Sequence, residues 1–152
     1  MIRRASDLDL PAVVSLIRTA SLPLAGLAEN FDHLYVLEVQ ETILGVVGYE
    51  VYPPDVLLRS LVIAPSVRRQ GYGRLLIAHI LHQARLNGVR KAYALTTTIP
   101  DLLCRSGFRE ILRSDAPQAL FASEEFRGAC PASAKLFCIT LTDKIERNWK
   151  HG

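Results

Sequence analysis

Residues 61–76 read LVIAPSVRRQGYGRLL. An apolar run ends at Pro65, and a short basic stretch then carries Gly71 and Gly73 between Arg68, Arg69 and Arg74. From Arg74 to Asn87 the apolar residues Leu75, Leu76, Ile77, Ile80, Leu81 and Ala84 recur at helical spacing, and Gly88 stands where a helix C-cap falls. The stretch therefore reads as strand, glycine loop, helix. The first amides of a helix lack intrahelical acceptors and the helix dipole favours an anion there, so this order suits a phosphate group. Glycine lets the backbone approach closely because no Cβ intervenes. Two well-known phosphate loops do not fit. Gly73 is followed by Arg74 and Leu75, not by the Lys-Ser/Thr of a P-loop, and the third glycine and the later acid of a dinucleotide fingerprint are missing.

Outward from this loop, strands and helices alternate around a central run of strands. MIRRAS reads as a first strand ending at a cap, Ser6, with Asp9 three residues on and Pro11 in the first helical turn. Val13, Leu16, Ile17 and Ala20 continue an amphipathic helix. SLPLAGLAENFD is either a pocket-shaping segment or a plain connection. LYVLEV and ILGVVGYEVY, split by QET, predict a hairpin, and Pro53-Pro54-Asp55 a turn into VLLRSLVIAP. Beyond Gly88 come a strand in KAYALTTT, a short helix in IPDLLCRS, a strand in GFREIL, a possible helix in APQALFASEEFRG and a last strand in SAKLFCITL. The expectation is a single α/β domain over residues 1–142, built on a mixed, mostly antiparallel sheet flanked by helices, with a polar tail at 143–152.

Composition narrows the class. The chain has 152 residues, 49% hydrophobic and 22% charged, ordinary for a globular domain. Its net charge is +3, and outside 68–74 its basic residues are scattered, which argues against a nucleic-acid face. No apolar run approaches the roughly 18 residues of a membrane span, and MIRRASDLDL lacks the apolar core of a signal peptide. The cysteines Cys104, Cys130 and Cys138 are odd in number and spaced like neither a disulfide framework nor a zinc site, so a reduced, cytoplasmic setting is expected. His79 and His82 share a helix face, but two ligands are too few for a metal, and none is expected.

The loop and the element order together resemble the GNAT-type N-acetyltransferases over nearly the whole chain. That family's acetyl-CoA signature, Arg/Gln-x-x-Gly-x-Gly/Ala at a helix start, appears here as Arg68-x-x-Gly71-x-Gly73. The resemblance implies that Arg68, Arg69, Gln70, Gly71, Tyr72, Gly73 and Arg74 hold the pyrophosphate of the co-substrate acetyl-CoA. It implies that Leu61, Val62 and Ile63 bind pantetheine through their backbone, like an added strand. Dimers are frequent in the family, so a homodimer is possible.

The chemistry needs a neutral amine, a donor to the thioester oxygen and a path for the leaving thiolate. A backbone N–H near Val62 is the expected oxyanion donor. Glu50, in GYEVY, is the candidate base, and the other reading makes it a solvent-facing strand residue. Arg59, in VLLRSLVI, wants a carboxylate, either that of Glu50 as a structural pair or that of an amino-acid substrate, the latter preferred. Thr96, Thr97 and Thr98 either bind a polar substrate or serve as strand residues and local caps. Many relatives place a Tyr four residues before the Gly of the GF pair as acid to the CoA sulfur. Here that position is Leu103, with Cys104 beside it. A thiol of pKa about 8.5 leaves as thiolate without a strong acid.

GYEVY, LLRSL, TTT and CPASA (130–134) further resemble the arsenic-resistance subgroup of these enzymes. Its members acetylate the glutamate-like amines arsinothricin or phosphinothricin, so the resemblance implies a small amino-acid-like substrate. Two other readings stay open: an acetyl-CoA-binding or sensing domain without turnover, consistent with the absent Tyr, and a nucleic-acid site at Arg68–Arg74.

Overall fold

The computed structural model describes residues 1–141; the expected tail lies outside them. Seven strands form one sheet: β1 (Ile2–Arg4), β2 (Leu34–Val39), β3 (Thr42–Tyr52), β4 (Asp55–Ile63), β5 (Lys91–Thr96), β6 (Arg109–Ile111) and β7 (Lys135–Thr140). Their order is β1-β2-β3-β4-β5-β7-β6, and every neighbouring pair is antiparallel except β4 and β5. The helices are α1 (Leu10–Thr19), α2 (Tyr72–Leu86) and α3 (Pro100–Arg105). Val13 and Ile17 of α1 pack with Leu34, Val36, Val46 and Val62 on one face of the sheet. Leu76, Ile77, Ile80 and Ala84 of α2 pack with Leu103 of α3 against Val47, Tyr49, Val56 and Leu58 on the other. A mixed sheet between helices is the expected architecture.

The local chemistry explains the junctions. Ser6 and Asp9 form the expected capping box, with the Ser6 N–H donating to the Asp9 carboxylate at 2.7 Å. Arg3 clamps the same carboxylate from the first strand at 2.8 Å and holds it well below its ordinary range, at about 2. β2 and β3 join through Gln40 and Glu41, both at positive φ (50° and 64°), whose twist matches a tight hairpin. Gly88, at φ 81°, ends α2 as a C-cap glycine should.

Two irregularities of β4 decide what the fold can do. Gly48 of β3 pairs with Arg59 and Val46 with Val62, so one residue on β3 faces two, Ser60 and Leu61, on β4. This β-bulge, with Ser60 at φ 60°, reverses the alternation. Leu57 and Arg59 before it and Val62 after it then share the α1 face, while Leu58, Leu61 and Ile63 face α2. The second irregularity is a parting of strands. β4 pairs with β5 only through Val56–Leu58 against Ala92–Ala94. Beyond that point the two diverge, while β5 goes on pairing with β7 to Thr96.

Two expectations need correction. KAYALTTT is strand only to Thr96, because the Thr96 Oγ1 accepts the amides of Thr98 and Ile99, both at 3.1 Å, and so turns the chain into α3. APQALFASEEFRG is not a regular α-helix. A 3₁₀ turn at Gln118–Ala122 gives way at Ser123 to a wide turn over Glu125–Ala129, broken by Gly128 at φ 121°. Ser123 diverts the chain: its Oγ accepts the Glu125 amide at 3.1 Å instead of leaving that amide to a helical carbonyl. Arg113 then ties the segment down by donating to the carbonyls of Pro131, Ala132 and Ala134.

Candidate active site

The loop between β4 and α2 is shaped for an anion by its backbone. After a short 3₁₀ turn at Pro65–Val67, Arg68 is extended, Arg69 lies at φ 66° and Gly71 at φ 86°. Such alternation of handedness turns successive amides toward one side, the geometry of an anion-binding nest. The first helical hydrogen bond runs from the Leu75 N–H to the Gly71 carbonyl at 3.2 Å, so the amides of Tyr72, Gly73 and Arg74 have no intrahelical acceptor. Arg68, Arg69, Gln70 and Arg74 are exposed around the rim, and Tyr72 is half-buried. Arg68 also folds back, its Nε donating to the Ile63 carbonyl at 3.2 Å.

The two glycines serve different ends. A Cβ on Gly71 would meet nothing within 4 Å, so Gly71 is required for its left-handed φ alone. A Cβ on Gly73 would sit 2.9 Å from Cδ2 of Leu102. Gly73 therefore lets α2 approach α3, a packing role the motif does not announce.

Where β4 and β5 part, a cavity of ≈ 320 Å³ opens. Leu58, Arg59, Ser60 and Leu61 form one wall and Ala94, Leu95 and Thr96–Thr98 the opposite one. Ile99 and Leu103 close it on the α3 side, and residues 20–23 with Glu125, Cys130, Pro131 and Ala134 close it on the α1 side. The backbone edge of β4 from Leu61 through Val62 to Ile63, unpaired with β5, runs from this cavity to the phosphate loop.

The cavity brings together the four candidate substrate residues, Arg59, Thr96, Thr97 and Thr98, and the expected pantetheine residue Leu61. Thr96 is buried and spends its oxygen on the turn into α3, whereas Thr97 and Thr98 are exposed at the rim. Glu50 does not line the cavity. It lies behind Arg59, 3% exposed, with its Oε2 2.9 Å from the Arg59 Nη1. Its Oε1 accepts the Tyr52 hydroxyl at 2.7 Å and that of Ser123. The solvent-facing alternative for Glu50 is thereby excluded. Arg59 donates in addition from Nε to the Ser60 Oγ at 3.0 Å and from Nη2 to the Pro23 carbonyl at 3.3 Å. Its guanidinium thus makes the pair with Glu50, and two of its five N–H groups have no acceptor among the described residues.

Glu125 is a residue that sequence reasoning missed. It is 5% exposed, lines the cavity beside Arg59, and accepts the Cys130 thiol on Oε2 at 3.3 Å. Burial raises its carboxyl above the ordinary value, while Arg59 and the thiol pull it down. Burial, then Glu125, push the Cys130 thiol up to about 12, so Cys130 is an unreactive thiol here. The other two cysteines stand apart. Cys104 is exposed and off the cavity, and Cys138 is buried in the core. Leu103, 1% exposed, presents an apolar side chain to the cavity at the position where the family resemblance would put a Tyr. No cluster of metal-ligating side chains occurs among the described residues.

The chain is 25% identical, over 126 residues and 77% of its length, to amino-acid acetyltransferases of Neisseria meningitidis serogroups A and B. It spans 29% of the length of those relatives. Among solved structures, the N-acetylglutamate synthase of Neisseria gonorrhoeae, complexed with coenzyme A and N-acetyl-glutamate, superposes with a TM-score of 0.81 at 22% identity, covering 93% of this chain and 35% of that one. The diaminobutyrate acetyltransferase of Paenibacillus lautus, in complex with L-2,4-diaminobutyric acid and coenzyme A, gives 0.68 at 20% identity, covering 93% and 94%. The profile of the acetyltransferase (GNAT) family matches residues 8–103, and with that match across most of the sheet and the whole phosphate loop, the chain belongs to the GNAT acetyltransferases, whose co-substrate is acetyl-CoA.

Proposed function

We propose that this protein moves the acetyl group of acetyl-CoA to the primary amine of a small α-amino acid. The observation that carries the reading is the cavity at the parting of β4 and β5, open to the phosphate loop on one side and walled by Arg59, the threonines and Glu125 on the other. In this reading the amides of residues 69–74 take the pyrophosphate, with Arg68 and Arg74 adding charge at the rim. Pantetheine pairs with the free edge at Leu61, Val62 and Ile63. The acetyl group then reaches the cavity, where a backbone N–H near Val62 faces the oxygen that gains charge.

The amine's lone pair attacks the thioester carbon, a C–N bond forms, the C–S bond breaks and CoA leaves as thiolate. From an ammonium substrate the products are the N-acetyl compound, CoA thiol and one proton. Glu50 acts at one remove from the amine, holding Arg59 so that the free N–H groups of the guanidinium meet the substrate's acidic group. Thr97 and Thr98 supply hydroxyls for the same group at the rim, with Thr96 fixing their turn.

A glutamate-like substrate fits best. The structural relative above binds N-acetyl-glutamate. LLRSL, TTT and CPASA, three of the segments that resemble the arsenic-resistance subgroup, line the cavity, and GYEVY contributes the carboxylate that fixes Arg59. Phosphinothricin and arsinothricin are therefore the analogues we assign to it. The free cysteines Cys104, Cys130 and Cys138 suit a reducing compartment, so we place the reaction in the cytoplasm. Among the described residues no helix is long and apolar enough to cross a membrane.

A second reading has one observation in its favour. Leu103 gives the CoA sulfur no proton donor, as in a domain that binds acetyl-CoA without turnover. Thiol release from acetyl-CoA separates the two, measured against glutamate, phosphinothricin, arsinothricin, a polyamine and a lysine peptide. Release with the glutamate-like amines alone is the expected result. Release with the peptide or polyamine instead would overturn the substrate class, and acetyl-CoA binding with no release from any amine would favour the binding domain.

A further inference from the structure

The geometry points to Glu125 as the group that receives the substrate's ammonium and takes its proton, an assignment that rests on the acetyltransferase reading above. Among the described residues lining the cavity, Glu125 is the sole carboxylate and Arg59 the sole cation. The other buried acid, Glu50, is spent: Arg59 holds one of its oxygens and two hydroxyls hold the other. Glu125 is differently placed. Its Oε2 has only the weak donor Cys130, and no donor among the described residues reaches its Oε1. Its backbone is nonetheless fixed, since its N–H donates to the Ser123 Oγ at 3.1 Å and its carbonyl accepts the Cys130 amide at 3.2 Å. The side chain is thus anchored and largely buried, with one oxygen open to the cavity and free to accept a donor brought by the substrate.

Charge gives the donor its sign. Glu50 already neutralises Arg59, so the ionised cluster Glu50–Arg59–Glu125 carries one net negative charge on three buried side chains. A cation completes it. An α-amino acid brings an ammonium and a carboxylate one carbon apart, matching Glu125 on one side and the free N–H groups of Arg59 on the other. The pocket is in this sense built for a zwitterion.

The groups acting on Glu125 are Arg59 from β4, Glu50 from β3 and Cys130 from its own segment, with Tyr52 bound to Glu50 and Arg113 acting on Cys130. Desolvation, the largest of these influences, raises the carboxyl, and Glu50 adds to it. A base whose pKa lies nearer the working pH is the better base. The step balances as follows. The carboxylate accepts one proton from the ammonium, the freed lone pair attacks the thioester, the C–S bond breaks, and the second nitrogen proton goes to the CoA thiolate. Glu125 then returns its own proton to solvent.

The test measures thiol release with glutamate and phosphinothricin from pH 5.5 to 10, alongside acetyl-CoA affinity. Glu125→Gln should lower kcat/KM for the amine on the order of 100-fold near neutrality, leave the acetyl-CoA Kd unchanged, and recover at alkaline pH where the amine arrives neutral. Glu50→Gln should keep its acid limb, because Glu125 remains. Cys130→Ala removes the hydrogen bond that favours the ionised carboxylate, so the acid limb should move to higher pH. A Glu125→Gln enzyme with wild-type kcat/KM, or one slowed equally at every pH, overturns the assignment. Should that variant fail to fold, an unmoved limb in Cys130→Ala overturns it instead. Wild-type protein that binds acetyl-CoA and releases no thiol with any amine overturns the acetyltransferase reading itself, and this one with it.

Discussion

The phosphate loop and the cavity behind it are built by opposite means. The loop spans consecutive residues, 68–74, and works through exposed backbone whose amides are left free by two positive φ values, at Arg69 and Gly71. The cavity works through buried side chains that meet from distant parts of the chain. Ser123 reaches Glu50 across 73 positions, and Arg59 reaches the carbonyl of Pro23 across 36. A backbone device tolerates most side chains and fails when a φ is forbidden. A buried charge cluster tolerates almost no change, because each member is the solvation of the next.

The largest expected effect follows from that contrast. Arg59→Met strands the Glu50 carboxylate, whose side chain is 4% exposed, without its counter-charge. Breaking a buried pair by removing one partner typically costs about 3–5 kcal/mol. Urea unfolding should show the midpoint fall by a corresponding amount with an unchanged slope. The double variant Arg59→Met/Glu50→Gln should regain part of the loss. A single-variant loss below about 1 kcal/mol, the range of exposed pairs, would mean that the cluster is solvated and the contrast drawn above is wrong.

The loop predicts a smaller effect of a different kind. Gly71→Ala places its Cβ in open space but in a left-handed conformation, a cost of about 1–2 kcal/mol. That strain falls on the loop, so acetyl-CoA should bind roughly tenfold more weakly if about 1.4 kcal/mol is lost from the bound geometry. Gly73→Ala should weaken binding through Leu102, 2.9 Å from the new methyl. Leu102→Ala should therefore rescue Gly73→Ala and leave Gly71→Ala as it was. Calorimetric titration with acetyl-CoA reads all four proteins, and rescue of both glycine variants would remove the distinction.

The same contrast explains what was legible beforehand. Periodicity and turn chemistry suffice for elements made locally: the Leu75–Ala84 stripe of α2, the hairpin around Gln40–Glu41 and the loop at 68–74 are all where the residues indicate. The cavity's chemistry is not local. Nothing in LLRSLVI marks Ser60 as the bulge that turns Arg59 and Val62 to one face, since serine has no strong preference for φ 60°. Arg59 beside an apolar run did signal a need for a carboxylate, and Glu50 answers it. Glu125 carried no such signal. EEFRG reads as the end of a candidate helix until Ser123 captures the Glu125 amide and turns one of the two adjacent acids inward. A polar residue that caps its own neighbour, in a stretch ending at Gly128, was the available hint.

The smallest expected effect tests whether position, not residue type, assigns the cysteines. Cys104 and Cys130 are both free thiols, and Cys104 neighbours Leu103, the position where the family resemblance would put a Tyr. In the fold Leu103 takes the cavity side of α3, and the next side chain is carried about 100° around the helix into solvent. Cys104→Ser should accordingly change stability by less than about 0.5 kcal/mol, as for surface sites, and leave thiol release and its pH profile in place. Cys130→Ala should move the profile. A shifted acid limb in Cys104→Ser would put that thiol back in the path of the proton and would require α3 to rotate toward the cavity when acetyl-CoA binds.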